Sequence, residues 1–318
     1  MTKAQSSAQT DLAVVIVTWN NASVIRAALS SLLADLQESR LRCEVWVVDS
    51  ASADHTAELV RREFPTVHLI VNNANLGFAA ANNLALRELG FGDAYGANET
   101  PAAVYLLNPD TVTHPGATRR LYDGLMSRTE VGVVGARLTF ADGGFQHSAF
   151  RFPGLRQIWA ELFPTPGRLL EGSFNGRYPR ARYAGAEAFE VDFTLGATMM
   201  LKREVIEQSG TFDEAFFLYC EEVDWAWRIR KLGWRILCVP AAHVTHIGGG
   251  STSQARPESL IHLWQSRLSL YEKHYPNWKR DVARRLVALG MRRKMRILDA
   301  ADAEMRAACQ KIIEMAKA

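Results

Sequence analysis

The segment Leu12–Thr18 (LAVVIVT) constrains this chain more than anything after it. It is an unbroken, β-branched run. A strand with one wet face alternates apolar and polar residues, so this one is expected to be buried on both faces of a helix-covered parallel sheet. The theme then repeats. Asn21–Leu33 places Val24, Ala28 and Leu32 at a spacing of four, which predicts a helix capped by Asn21 or Ser23. Further strands are expected at Glu44–Val48, Val67–Val71, Ala103–Leu107 and Val131–Val134. Helices are expected between them at Asp54–Phe64, Phe78–Leu89 and Pro115–Met126. Such alternation predicts an open, doubly wound α/β sheet, in which ligands bind beyond the carboxyl ends of the strands. Thr18, Asn20, Asp49, Asn75, Asn108 and Asp110 follow those ends and are expected to converge on one crevice. The polarity of loops is the competing reason for polar residues there.

Downstream the pattern loosens. Leu89–Thr100 reads as a surface loop, and Phe152–Tyr183 as an irregular segment over the site. Glu190–Leu201 contains a strand pattern, Glu221–Leu232 a helix closed by Gly233, and Arg235–Val239 a strand. Arg256–Tyr275 and Lys279–Lys317 read as helices. A hydrophobic content of 48% over 318 residues excludes a mainly disordered chain. Cys43, Cys220, Cys238 and Cys309 form no CxxC, which argues against a disulfide framework or a cysteine zinc site. No apolar run reaches the roughly 18 residues of a membrane span. Met1–Thr10 is polar, unlike a signal peptide, so a reducing, cytoplasmic location is expected. The net charge of +3 is uneven: residues 251–318 carry +7 and the first 250 carry −4. A uniformly basic nucleic-acid binder would not show this split, and no nucleic-acid partner is expected.

Two nucleotide signatures are missing, GxGxxG and GxxxxGK[ST], so dinucleotide oxidoreductases and P-loop enzymes are disfavoured. Three other clusters can carry chemistry. In YLLNPDT, Pro109 stiffens a turn that aims Asp110, an oxygen ligand suited to Mg²⁺ or Mn²⁺; a helix-capping aspartate is the alternative. In FFLYCEEVD, Glu221, Glu222 and Asp224 crowd the first turn of a helix. The helix dipole favours that charge, and Asp224 can pair with Arg228, yet one carboxylate can also face the crevice as a general base. In HVTHIGGGS a strand ends at His246, a candidate metal ligand with His243 as its competitor.

The order of these pieces resembles the family-2 glycosyltransferases of the GT-A fold, and within them the bacterial rhamnosyltransferase-like group. The matching stretches are VVIVTWN (Val14–Asn20), VWVVDSASAD (Val45–Asp54), NANLGFAAANN (Asn73–Asn83) and YLLNPDT (Tyr105–Thr111). They continue with GATMMLKREV (Gly196–Val205), GTFDEAFFLYCEEVDWAWRIRKLGW (Gly210–Trp234) and HVTHIGGGS (His243–Ser251). The resemblance implies a Rossmann-like, mostly parallel sheet with a helical C-terminal extension. The resemblance covers about residues 11–275, the implied catalytic domain; outside it, 1–10 is expected to be disordered and 276–318 to form a basic helical extension. The implied reaction moves a sugar from a nucleotide diphosphate sugar to an acceptor hydroxyl with inversion, aided by Mg²⁺ or Mn²⁺. By that resemblance Asp49 contacts the base, and Thr18, Asn20, Asn75 and Asn82 line the nucleoside pocket. Asn108-Pro109-Asp110 stands for the DxD element, with Asp110 on the metal and His246 completing its shell. Glu221-Glu222 stands for the acidic motif, with Glu222 as base and Glu221 and Asp224 beside it.

The subgroup implies dTDP-rhamnose as donor and a glycan or lipid-linked saccharide as acceptor, in cell-surface polysaccharide assembly. Two rivals are a non-catalytic sugar-nucleotide-binding protein and a nucleotidyltransferase. The latter needs a glycine-rich basic loop after the first strand, which VTWNNAS does not supply. Finally, Trp278–Lys294 interleaves Lys279, Arg280, Arg284, Arg285, Arg292, Arg293 and Lys294 with Leu286, Val287, Leu289 and Met291. Such a helix suits an anionic membrane surface, or packs on the catalytic domain or on a second copy in a homodimer.

Overall fold

The computed structural model describes residues 10–92, 100–248, 256–299 and 302–317. All but Thr10 of the expected disordered stretch over 1–10, and most of the Leu89–Thr100 loop, lie outside the described residues. The first half runs β1 (Leu12–Thr18), α1 (Ile25–Ser39), β2 (Cys43–Asp49), α2 (Thr56–Glu63), β3 (His68–Val71), α3 (Gly77–Glu88), β4 (Ala103–Leu107), β5 (Thr111–Thr113), α4 (Ala117–Met126) and β6 (Val131–Thr139). After the short strands β7 (Phe145–Gln146) and β8 (Ala149–Phe150) come the helices α5 (Leu155–Leu162), α6 (Gly167–Leu170) and α7 (Ala181–Ala184). Then follow β9 (Phe189–Val191), β10 (Phe193–Thr194), β11 (Thr198–Lys202), α8 (Arg203–Ser209), α9 (Glu221–Lys231) and β12 (Arg235–His246). Three helices close the chain: α10 (Arg256–His274), α11 (Asn277–Ile297) and α12 (Ala303–Met315).

The main sheet has the order β3-β2-β1-β4-β11-β6-β12-β5. β3, β2, β1 and β4 are parallel, and β11 is antiparallel to both β4 and β6. β6 and β12 therefore point the same way as β4, and the sheet is mixed but mostly parallel. The run in β1 is explained by its two faces. Ala13 and Val15 belong to one core, and Leu12, Val14 and Ile16 to the other. Each fully buried Val, Leu or Ile stabilises by about 1.5–3 kcal/mol, so an unbroken apolar strand is what a two-faced sheet selects. β4 divides in the same way, with Val104 and Leu106 against Ala103, Tyr105 and Leu107.

Several elements differ from expectation for identifiable reasons. α1 starts at Ile25 rather than Asn21, because the Asn21 side chain closes the loop instead. Its Oδ1 accepts from Thr18 Oγ1 at 3.1 Å and from the Trp19 N–H at 3.0 Å. β12 continues to His246 past a register shift between Val239 and His243, a bulge that lets Pro240 sit within a strand. Phe152–Tyr183 is not an irregular cover over the site. It forms short helices, and Ile158 and Leu162 of α5 join a third core with Trp264, Leu268 and Tyr271 of α10, Val287 and Met291 of α11, and Ile312 of α12. Two of the apolar residues expected to face a membrane, Val287 and Met291, are thus buried inside the protein, while Leu289 is 52% exposed.

Candidate active site

A cavity of about 480 Å³ opens at the carboxyl ends of β1 and β4. It gathers Thr18, Asn75, Asn108, Asp110, Glu221, Glu222 and His246, seven of the eleven residues singled out from sequence. Asn20, Asp49, Asn82 and Asp224 are not in its wall.

On the β1–β2 side, local hydrogen bonds set the loops. Asn20 adopts a left-handed backbone (φ 54°) and its Oδ1 accepts from the Ala53 N–H at 2.8 Å, tying two loops together. Asp49 is 1% exposed; its Oδ2 accepts from the Ser52 N–H at 3.0 Å, while its Oδ1 is buried without a partner. Its neighbour Ser50 reaches the wall instead. Asn75 Oδ1 accepts from the Gly77 N–H at 3.0 Å and so holds the start of α3. Asn82 lies one turn into α3, buried, with its amide on the Phe78 carbonyl at 2.9 Å. Gly77 (φ +76°) must be glycine, since a Cβ there would sit 2.3 Å from the Phe217 carbonyl oxygen. That carbonyl accepts from the Phe78 N–H at 2.9 Å, which presses Phe217 against the start of α3.

The Asn108-Pro109-Asp110 turn is held from below, where the Asn108 N–H donates to the Ala197 carbonyl and Thr111 Oγ1 to the Asn108 carbonyl. The pairing of β5 with β12 sets His246 opposite Thr111 and brings its Nε2 to 3.4 Å from Asp110 Oδ1. His246 Nδ1 lies 3.1 Å from Gln146 Nε2. His243 is outside the cavity: its ring stacks on His114 at 3.9 Å, its Nε2 meets Thr139 Oγ1 at 2.9 Å, and burial pushes its pKa down to about 4. Among the described residues no three His, Cys, Asp or Glu side chains cluster as a metal site. Asp110 and His246 face the cavity as a close pair, with Glu221, Glu222, Glu258 and His262 elsewhere on its wall.

The third wall is the start of α9. Tyr219 and Cys220, both non-glycine, hold φ of 69° and 65° and turn the chain so that Glu221 begins the helix at the cavity. Glu221 is 6% exposed and its Oε2 is buried without a partner. Glu222 is partly exposed and lies over Gly196, where a Cβ would stand 3.7 Å from the Glu222 side chain. Burial pushes both carboxyls up. The Glu222 charge raises Glu221 further, and Glu222 reaches about 7.

Asp224 has a different role. It is fully buried, and its carboxylate takes Arg228 Nε at 2.9 Å, Lys273 Nζ at 2.8 Å and His274 Nε2 at 2.7 Å. Burial acts to raise its pKa, but His274, Lys273 and Arg228 outweigh this and hold it at about 2. It clamps α9 to α10. Asp224→Ala is expected to cost about 3–5 kcal/mol in urea unfolding at pH 7, because three donors lose one buried acceptor. The folded pKa lies below the ordinary 3.8, so this stabilisation is complete above about pH 4 and fades as the pH falls towards 2. The gap between wild type and variant should narrow over that window.

Several wall residues were not apparent in the sequence. Trp19, between the noted Thr18 and Asn20, lines the cavity with Phe217 and Tyr219. Glu258, Ser259 and His262 of α10 form the far side. Their i, i+1, i+4 spacing puts them on one helix face, but nothing local says what that face meets. The His262 ring lies 4.9 Å from that of Phe217.

A mostly parallel α/β sheet brings a carboxylate–histidine pair and a glutamate together in one cavity beyond its strand ends, and the fold is that of the GT-A glycosyltransferases. Residues 13–210 match the model of glycosyl transferase family 2, and the chain belongs to that family. It is 29% identical over 273 residues to the N-acetylglucosaminyl-diphospho-decaprenol L-rhamnosyltransferase of Mycobacterium tuberculosis, covering 84% of this chain and 86% of that protein. It is 25% identical over 230 residues to the low-salt glycan biosynthesis hexosyltransferase Agl10 of Haloferax volcanii, covering 72% and 64%. Among solved structures it is similar to GalNAc-T7 with UDP, GalNAc and Mn²⁺ (TM-score 0.59, 13% identity, 98% of this chain and 56% of that longer one). It is also similar to the mannosyltransferase PcManGT of Pyrobaculum calidifontis with GDP-Man and Mn²⁺ (TM-score 0.53, 18% identity, 98% and 85%). No helix among the described residues is long and apolar enough to cross a membrane.

Proposed function

We propose that this glycosyltransferase moves rhamnose from dTDP-rhamnose, with inversion, onto a hydroxyl of a glycan or lipid-linked saccharide in cell-surface polysaccharide assembly. The observation that carries the reading is one cavity holding the Asp110–His246 pair and the raised carboxyl of Glu222. The rhamnosyl specificity rests on the mycobacterial relative, which aligns along most of both chains.

The residues fit a hard divalent cation, Mg²⁺ or Mn²⁺. Gln146 Oε1 is buried without a partner beside His246 Nδ1. Turning that amide over lets Oε1 accept from Nδ1–H and leaves the Nε2 lone pair free towards Asp110, the tautomer a metal-binding imidazole needs. Asp110 and His246 would hold the ion, which when bound supplies a Lewis acid to the departing diphosphate. Asn108, neutral, offers hydrogen bonds to phosphate or ribose. Thr18, Ser50 and Asn75 line the nucleoside side of the same cavity. Glu222 accepts the proton of the acceptor hydroxyl as that oxygen attacks the anomeric carbon, and inversion follows from the single displacement. Glu221 lies more deeply buried beside it, and burial and the Glu222 charge favour its neutral form.

A thermal-shift titration tests the donor. In Mn²⁺, dTDP-rhamnose is expected to raise Tm above the shift given by UDP-GlcNAc or GDP-mannose, since ligand at 100 times its Kd adds about 2.7 kcal/mol. A larger shift with another nucleotide sugar would replace the donor, and no shift with any would overturn the reading.

A further inference from the structure

Much of the positive charge of the last fifth of the chain lies on α11, which carries eight Lys and Arg and a single acid, Asp281. The apolar stripe of this helix is spent, because Ala283, Val287 and Met291 are sealed in the third core. A different stripe faces outward. Trp278 is 60% and Leu289 52% exposed, with Arg285, Arg292 and Arg296 exposed alongside. At about 100° per residue these five positions fall within an arc of about 60°, on a helix about 31 Å long. Arg292 and Arg296 also line a cleft of about 320 Å³ between α11 and α12, together with Arg306, Lys317 and Ile313 and no carboxylate. Arg306 Nη1 donates to the Met295 carbonyl at 2.7 Å. The side chains of Arg285, Arg292, Arg296 and Lys317 make no hydrogen bond or ion pair among the described residues.

We propose that this face of α11, with the adjoining cleft, docks on the anionic phospholipid surface of a membrane. Trp278 and Leu289 enter the headgroup layer and the cleft receives a lipid phosphate. The apolar side chains between the cations decide for lipid: they gain from entering the headgroup region, whereas a nucleic-acid backbone rewards charge and polar donors alone. Charge disfavours a second copy, because a two-fold contact would bring two copies of the same strongly basic helix together. The first 250 residues carry −4, so the field also turns the basic end towards an anionic surface. α11 shares its core with α10, whose first turns line the catalytic cavity, so docking would hold that cavity at a set distance from the bilayer.

The full-length protein is to be co-sedimented with phosphatidylcholine vesicles, and with vesicles holding about 30% phosphatidylglycerol, at low and high salt. Binding is expected on the anionic vesicles only, and should weaken at high salt. Arg292→Glu/Arg296→Glu should weaken it at least tenfold, and Leu289→Ser severalfold, both with wild-type Tm. If the charge reversal lowers Tm, Arg292→Gln/Arg296→Gln carries the comparison. Three outcomes would overturn the proposal. One is equal binding by wild type and the charge variant. Another is no preference for anionic vesicles, including no binding at all. The third is a wild-type dimer in light scattering that the variants convert to monomer. The readout needs no donor, so it stands or falls apart from the catalytic reading.

Discussion

Glu222→Gln is expected to lower sugar transfer by about 10²–10⁴-fold while leaving donor affinity near wild type, the range that general-base help supplies. The substitution keeps size and removes only the ability to take a proton. Glu221→Gln is the matched control. Glu221 is buried, and burial together with the Glu222 charge raises its carboxyl well above the ordinary range, which favours the neutral form that an amide mimics, so little loss is expected. The pH profile adds an independent sign. With Glu222 at about 7, wild-type kcat/KM should fall about tenfold per unit below that value and level off above it. Glu222→Gln should lose this limb. Stability runs the other way. Between its ordinary 4.5 and about 7 the folded protein keeps a proton that the unfolded chain releases, so wild-type stability falls as the pH rises through that window. Glu222→Gln removes the cost of ionising a buried carboxyl and should raise Tm by ~1–3 °C at pH 8, an activity–stability trade in one side chain. Near-normal turnover of the variant would move the base elsewhere.

Asp110→Ala is expected to abolish the Mn²⁺ dependence of donor binding and to cut turnover at least about 100-fold. Loss of an outer partner of a metal ligand already costs 10–100-fold, and a ligand itself should reach the top of that range. The first position of its motif is the neutral Asn108, and among the described residues its close companion of ligand type is His246, 3.4 Å away. Calorimetric titration of donor at rising Mn²⁺ checks this, with affinity climbing for wild type and flat for the variant. Climbing affinity in both would show that the ion, if any, is held by other groups. Glu222→Gln should behave as wild type in the same titration, which separates binding from proton transfer.

Comparing pattern with structure shows where local information stops. β1 and β4 begin and end where their apolar runs do, since burial on both faces leaves no polar position inside them. The α1 start was displaced because Asn21 caps a loop with its side chain rather than a helix. The spacing of α9 allowed Asp224 to pair with Arg228, as it does, but did not say which carboxylates reach the cavity. In space the helix turns Asp224 into a clamp with Lys273 and His274, and leaves Glu221 and the less buried Glu222 at the cavity. Asn82 and Asp49 fall just behind the wall, because one turn of α3 and the closing bond to Ser52 point them inward. The apolar residues of α11 showed an amphipathic helix but not its partner, and α5 and α12 took that side.

Periodicity and strand-end polarity by themselves determined the alternating α/β order, the two-faced burial of the sheet and the stretches where the chemistry lies. Those features depend on residues within a few positions of each other. Tertiary structure alone decided which carboxylate meets the cavity, which histidine joins Asp110, and that α10 supplies the far wall. These depend on the sheet order and on β11 running between β4 and β6, contacts between residues 66 to 99 positions apart in the chain. Local spacing carries no record of them, because the free energy that fixes them comes from burying faces whose partners are distant in the chain.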